Sequence, residues 1–311
     1  MTLDSANLVF PSSSAFHASF GVIHTIVTVK SVEFDYLPLI SWYRRCGRDL
    51  PWREEGTSAW AVLVSEVMSQ QTPVSRVIPA WREWMDKWPT PADLAAADTS
   101  DVLRAWGRLG YPRRALWLKQ AAEKMEGTVP RSVDKLLELP GIGDYTARAV
   151  AAFAFGSPVP VVDVNVRRVH YRLFDATYLT PPARKGDLAR ITAPEPELSV
   201  ALMELGALVC TATNPQCESC PLADQCAWVA AGKPMPTEAE QEEKRKRVQK
   251  FAGTDRQVRG KIMALLRDAD EPLASIDHAW PDAAQRSRAL YSLLEDGLAE
   301  QLPDGRYCLP R

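Results

Sequence analysis

Four cysteines in one short loop constrain this chain more than any other feature. Cys210, Cys217, Cys220 and Cys226 follow the spacing C-x6-C-x2-C-x5-C. Thiolates crowded this closely repel one another unless something binds them. A soft metal centre is the natural occupant, an iron–sulfur cluster or zinc, and spacing alone does not separate the two. The rival readings are disulfides or chance. Six cysteines in 311 residues fall far below a disulfide scaffold, and the N-terminal segment has no basic start or small-residue cleavage site of a secretion signal. Thiolate ligands point to a reducing compartment, the cytoplasm.

The length allows two or three domains, and a hydrophobic fraction of 46% is enough for real cores. A net charge of −2 exerts no global pull on nucleic acid. Locally, residues 145–190 carry Arg148, Arg167, Arg168, Arg172, Arg184, Lys185 and Arg190 against only Asp163, Asp175 and Asp187. A solvated face would look the same. No apolar run is long enough to span a membrane. Residues 1–32 are read as a disordered extension or the product of an upstream start.

Helical periodicity dominates the body. Trp60, Leu63, Val64 and Val67 recur at i, i+3, i+4, i+7, and similar apolar faces recur around 99–109, 114–125, 132–139 and 198–209. Prolines and glycines punctuate between them, and strand signals are few, so the fold class is mainly α. Residues 231–254, with blocks of acidic and then basic charge, read as a linker. The tail, 255–311, reads as a separate small unit. It has one face of Val258, Ile262, Leu265 and Leu266 and another of Leu290, Leu293, Leu294 and Leu298. A turn signal at Pro303-Asp304-Gly305 lies between two short strands. Helices followed by a hairpin predict a winged-helix-like module. Cys308 and Cys46 read as packed thiols rather than ligands.

Three segments could carry chemistry. LPGIGDYTARAVAAFAF (139–155) places Gly141 and Gly143 in a tight turn before a helix, a helix–hairpin–helix signature that would hold a phosphate without reading sequence. An ordinary helix–turn–helix with a glycine cap is the plainer alternative. Asp163 lies in an apolar run, VPVVDVNVRR, where a carboxylate is expensive unless hydrogen-bonded; an N-cap to a helix from Val164 is the commoner explanation. Glu66 sits at the edge of its helix's apolar stripe and by itself would pass as a solvated surface residue.

Together, the glycine hairpin, the Asp about twenty residues on and the cysteine loop resemble the endonuclease III superfamily of DNA glycosylases over roughly residues 33–230. The resemblance implies a two-lobed helix–hairpin–helix fold with DNA in the cleft. A six-helix lobe would span 59–165, and a cluster-bearing lobe 33–58 with 166–230. It also implies a 4Fe–4S cluster on the four cysteines. Within the superfamily, adenine DNA glycosylases of the MutY type are the nearest pattern. SEVMSQQT (65–72) resembles their catalytic-Glu motif, Tyr145 stands where endonuclease III has a catalytic Lys, and Asp163-Val164-Asn165 resembles their Asp-Gly-Asn. WGRLGYPRR (106–114) resembles a loop that wedges a Tyr, here Tyr111, beside the lesion guanine. Val164 departs from Gly, Pro112 from a second Tyr and Ser69 from Leu, and the 255–311 module stands where a larger Nudix-like domain is expected.

The resemblance implies a monomeric, nucleoid-associated bacterial enzyme that removes adenine opposite 8-oxoguanine or guanine in duplex DNA. Catalysis would fall to Glu66, Asp163, Tyr145 and Asn165. DNA contacts would fall to Gln70, Gln71, Thr72, Tyr111, Gly141, Gly143 and Arg167. Two other readings compete: an oxidised-pyrimidine glycosylase with lyase activity, which the missing Lys opposes, and a non-enzymatic iron–sulfur regulator.

Overall fold

The structure is a computed structural model that describes residues 34–183, 186–191, 195–246 and 251–311. The expected extension at 1–32, and Arg184 and Lys185 of the basic segment, lie outside the described residues. Among those described, fifteen α-helices and one two-stranded hairpin make the chain mainly α.

Local chemistry sets most helix ends. After α1 (Leu37–Cys46), α2 (Ala59–Ser69) starts at Ser58, whose side chain accepts from the Ala61 N–H. α3 (Val74–Lys87) follows Pro73. α4 (Pro91–Ala96) opens with a reciprocal capping box between Thr90 and Asp93. α5 (Thr99–Trp106) stops at Gly107, and α6 (Arg113–Lys124) follows a tight loop carrying Tyr111. α7 (Val133–Leu137) and α8 (Asp144–Phe155) flank the glycine turn. The sequence pattern locates α2, α5, α6, α7 and α8 to within a few residues.

α2 differs from its pattern in one respect. The periodicity predicts a one-sided apolar stripe, yet eight of its eleven residues are buried, because α3, α6 and α8 all pack on it. A helix apolar nearly all round belongs at the centre of its bundle.

α9 (Val164–Asp175), α10 (Asp187–Arg190), α11 (Pro196–Leu208) and α12 (Ala227–Ala230) come next. α11 packs on α9 and α1, and α12 packs on α9. Within the span read as a linker, α13 (Glu238–Lys246) is helical and exposed throughout. The tail forms α14 (Asp255–Asp268), α15 (Ala283–Glu295) and the hairpin β1 (Glu300–Gln301) with β2 (Tyr307–Cys308), where Gln301 pairs with Tyr307.

The tail is not separate. Residues 36–311 form one compact unit, and Val258, Ile262, Leu266 and Leu293 belong to the same apolar cluster as Trp84 and Trp106. Trp106 packs edge-on against Trp84 at 5.5 Å, which stacks in turn on Trp88 at 5.0 Å. An ion pair ties the module down as well, with Arg113 of α6 at 2.9 Å from Asp296, which Arg259 of the tail also holds at 2.7 Å. The tail's apolar faces are legible in sequence, but what covers them is not. Cys46 also departs from expectation: it ends α1 as an exposed thiol. No described helix is long and apolar enough to cross a membrane.

Candidate active site

The glycine turn brings α8 against α2. Gly141 adopts φ +72°, and a Cβ there would lie 2.6 Å from Trp117 Cβ, so the turn tolerates only glycine. Gly143 caps α8 and faces open space. From α8, the Tyr145 hydroxyl donates to Glu66 Oε2 at 3.0 Å. Asp163 caps α9: its Oδ1 accepts from the Val166 N–H at 2.7 Å, and its Oδ2 accepts from Asn165 Nδ2 at 2.7 Å. The cap predicted for Asp163 is therefore real, and the same carboxylate also stands near Glu66, close enough for each charge to act on Tyr145.

The electrostatics separate these groups from ordinary acids. Glu66 keeps partial solvent access, yet burial pushes its carboxyl up to about 7. The Asp163 charge adds to that rise, while the Tyr145 hydroxyl and the Arg53 guanidinium oppose it. Burial also raises Asp163, against the hydrogen bonds from Val166 and Asn165 that favour its ionised form. Tyr145 is held well above its ordinary value, first by burial and then by the two carboxylates. Two neighbouring acids with perturbed proton affinity, one of them hydrogen-bonded by a tyrosine, suit paired acid and charge-stabilising roles.

Sequence reasoning missed several residues here. Arg53, in a single helical turn at Pro51–Arg53, acts on Glu66 while its Nη2 donates to Glu204 Oε1 at 3.1 Å. Its Nη1 is buried without a partner, a donor left for a ligand. Glu204 is fully buried on α11, and Arg48 grips it twice, at 2.6 Å and 2.9 Å. A carboxylate within the apolar run VALMELGAL was the available signal. Arg114 is buried among the carbonyls of Val67, Gln70, Leu109 and Gly110, where it fastens the end of α2 to the Tyr111 loop. Arg168 donates to Asn165 Oδ1 at 2.6 Å and to the Cys210 carbonyl at 2.7 Å, linking the Asp163 cap to the cysteine loop.

At the end of α2, Gln71 and Tyr111 both adopt positive φ, 52° and 47°. The Tyr111 hydroxyl donates to Gln71 Oε1 at 2.7 Å, and Gln70 Nε2 donates to Thr146 Oγ1 at 3.2 Å. Two residues predicted to meet DNA are placed elsewhere. Thr72 is buried and donates to the Leu109 carbonyl. Arg167 is buried against Asp187 at 2.7 Å and donates to the carbonyls of Pro181 and Pro182. Both are consumed by internal packing, a distinction that sequence position cannot make.

Cys210, Cys217, Cys220 and Cys226 line one pocket with about 350 Å³ of space free of protein atoms. Four thiols around one apolar pocket are the soft donor set that an iron–sulfur cluster requires. Arg172 Nη1 donates to Cys210 Sγ at 3.3 Å, and Arg172 Nη2 is buried without a partner beside the same pocket. A guanidinium held there with one donor unspent suits the negative charge of thiolates and cluster sulfides. Burial, and to a lesser extent the other cysteines, pushes the Cys220 thiol up to about 11. The donor set therefore fits a 4Fe–4S cluster held by all four cysteines.

Comparison with known proteins agrees with this geometry. Residues 64–191 match the HhH-GPD superfamily of base excision DNA repair proteins, and residues 210–226 match the iron–sulfur binding domain of endonuclease III. The chain is 54% identical to an adenine DNA glycosylase from Mycolicibacterium smegmatis over 87% of its own length and 94% of the relative's. Among solved structures, a thermostable thymine-DNA glycosylase matches at TM-score 0.57 and 26% identity, covering 62% of this chain and 94% of that one. A non-covalent endonuclease III–DNA complex matches at TM-score 0.52 and 26% identity, covering 62% and 92%.

Proposed function

This chain belongs to the adenine DNA glycosylase family, a base excision repair enzyme that carries an iron–sulfur cluster, and from that premise we propose that it excises adenine opposite 8-oxoguanine or guanine by hydrolysis without cutting the strand. The observation that carries the reading is Glu66: a carboxyl with its proton affinity raised to about 7, hydrogen-bonded by Tyr145 and set beside Asp163.

The adenine must leave the stack to reach that cleft. Gln70, Gln71 and Tyr111 fill the gap it leaves, supported by the Tyr111–Gln71 hydrogen bond. Gly141 and Gly143 hold the backbone at the turn before α8. Adenine is a poor leaving group until protonated, and Glu66 delivers a proton to its N7 as general acid. Cleavage leaves an oxocarbenium-like sugar. Asp163, ionised and held by Asn165 and the Val166 N–H, stabilises or traps that sugar, as in a retaining glycosidase. Tyr145 orients Glu66, Asn165 positions Asp163 and the attacking water, and water completes the exchange to an abasic site. No amine stands at the Tyr145 position, so Schiff-base strand cleavage has no nucleophile there. Cys210, Cys217, Cys220 and Cys226 would hold the cluster, whose binding would order their lobe.

Single-turnover release of adenine from duplexes carrying A opposite 8-oxoguanine, G or T tests this. Strong preference for 8-oxoguanine supports the full reading; release without preference keeps the chemistry and removes the lesion specificity. Absence of release, with the cluster intact, overturns it. Borohydride trapping of a covalent enzyme–DNA adduct on an oxidised-pyrimidine duplex would instead favour the lyase reading.

A further inference from the structure

The tail does more than complete the core. Beside Tyr111, Gln70 and Gln71, an open cleft runs between the glycosylase loop and α14, with about 2040 Å³ of space free of protein atoms counting the part open to solvent. Its basic side chains far outnumber its acids. Arg113 and Arg259 are already neutralised by Asp296, the one carboxylate among the described residues of the cleft. Arg114 is spent on the carbonyls of Val67, Gln70, Leu109 and Gly110. Arg108, Arg256, Lys261 and Arg267 remain, and none of these four makes a side-chain hydrogen bond or ion pair among the described residues.

Two details set these cations apart from a random solvated surface. Arg267 on α14 and Arg108 on the Tyr111 loop come from distant parts of the chain, yet they lie close enough that, after burial and the opposing charge of the neighbouring Asp268, the Arg108 charge also weakens protonation of Arg267. Like charges brought together at a cleft wall favour an anion between them. The Arg256 guanidinium, one helical face along, lies 4.3 Å from the centre of the Tyr111 ring. Between Arg256 and Arg267, Gly260 fronts open space, where an added Cβ would meet nothing within 4 Å.

We propose that α14 is a DNA-contacting element, with Arg108, Arg256, Lys261 and Arg267 holding the phosphodiester backbone of the duplex beside the gap that Tyr111 and Gln71 fill. This inference rests on the glycosylase reading of the Tyr111 wedge. The cleft has the attributes of a backbone site: repeated cations, an adjoining aromatic and, among its described lining residues, a single carboxylate that is already paired. The Arg256–Tyr111 stacking makes the grip and the wedge move together. The 255–311 module thereby becomes half of the DNA-binding surface.

The test is the salt dependence of equilibrium binding to an A·G duplex, measured in a Glu66→Gln background so that the substrate survives. Each phosphate that the protein ceases to neutralise lowers the slope of log K against log salt by about 0.9. A triple variant, Arg256→Gln, Lys261→Gln and Arg267→Gln, is expected to lower it by about 2–3. A control of equal charge change on exposed α13, Lys244→Gln, Arg245→Gln and Lys246→Gln, is expected to leave it nearly unchanged. Equal slopes in triple variant and parent, or an equal fall in both triples, overturn the proposal. Should the triple variant not fold, Lys261→Gln and Arg256→Gln alone, at exposed positions, carry the same test with a fall of about 0.9 each. Adenine release by the chain with Glu66 intact keeps the two readings apart. If that chain releases adenine and the slopes do not differ, this inference fails and the function stands. If it releases none, the function fails whatever the slopes show.

Discussion

Two glutamates near Arg53 leave water and end in opposite states. Glu66, on α2, accepts a hydrogen bond from one tyrosine, and burial raises it to about 7 although the Arg53 charge opposes the rise. Glu204, on α11, has no solvent exposure at all, yet it is held below its ordinary value. Burial is the largest influence on Glu204 too, but Arg48 and Arg53 together outweigh it. Depth is therefore not what makes a carboxylate reactive. A buried acid hydrogen-bonded by guanidinium groups becomes a fixed anion, whereas one hydrogen-bonded by a phenol and set beside a second carboxylate keeps its proton near neutrality.

Replacing Glu66 tests that contrast most strongly. Glu66→Gln is expected to keep duplex binding and to lower single-turnover adenine release by about 10²–10⁴-fold, the usual range for a general acid. Equal rates would erase the distinction between the two glutamates. Asp163→Asn keeps an oxygen to cap α9 and removes the charge. A fall of about 10²–10³ in release with unchanged helicity is expected if its role is electrostatic, and near-normal release would reduce Asp163 to a cap.

The opposite half of the contrast is read in stability. Glu204→Gln leaves Arg48 and Arg53 without their anion. Because both arginines retain some solvent, a loss of about 3 kcal/mol is expected from denaturant unfolding, the low end for a broken buried pair. Little change would mean that the pair contributes nothing net. Freed from Glu204, Arg53 acts more strongly on Glu66, so the pH profile of any remaining activity should shift downward.

The smallest effects lie in that pH profile. A general acid works only while protonated, so adenine release should fall as pH rises through about 7, the value to which Glu66 is raised. At low pH, release should fall again as Asp163, raised above its ordinary value, takes up a proton. The Tyr145 hydroxyl favours ionised Glu66, so Tyr145→Phe should move the alkaline limb upward. A limb that stays in place would separate Tyr145 from the acid.

What could be read before folding follows the range of the interactions. Asp163 as a cap, the glycine turn, the helix starts and the cysteine loop depend on residues a few positions apart, and the spacing locates each of them. Thr72 and Arg167 have the right motif position and the wrong environment. Glu204 and Arg53 carry no motif, although a glutamate inside an apolar helix is a visible anomaly.

Residue order alone dictates a helical chain with a thiolate cluster site, a glycine hairpin and a capped aspartate, because helix periodicity, capping and ligand spacing act over one or two turns. Which acids keep a proton is settled by packing. Tyr145 reaches Glu66 across 79 residues and Arg53 reaches Glu204 across 151. Packing also sets the tail's cations facing Tyr111 across one cleft. Desolvation and charge proximity depend on what surrounds a group in space, and that arrangement exists only once distant segments have come together.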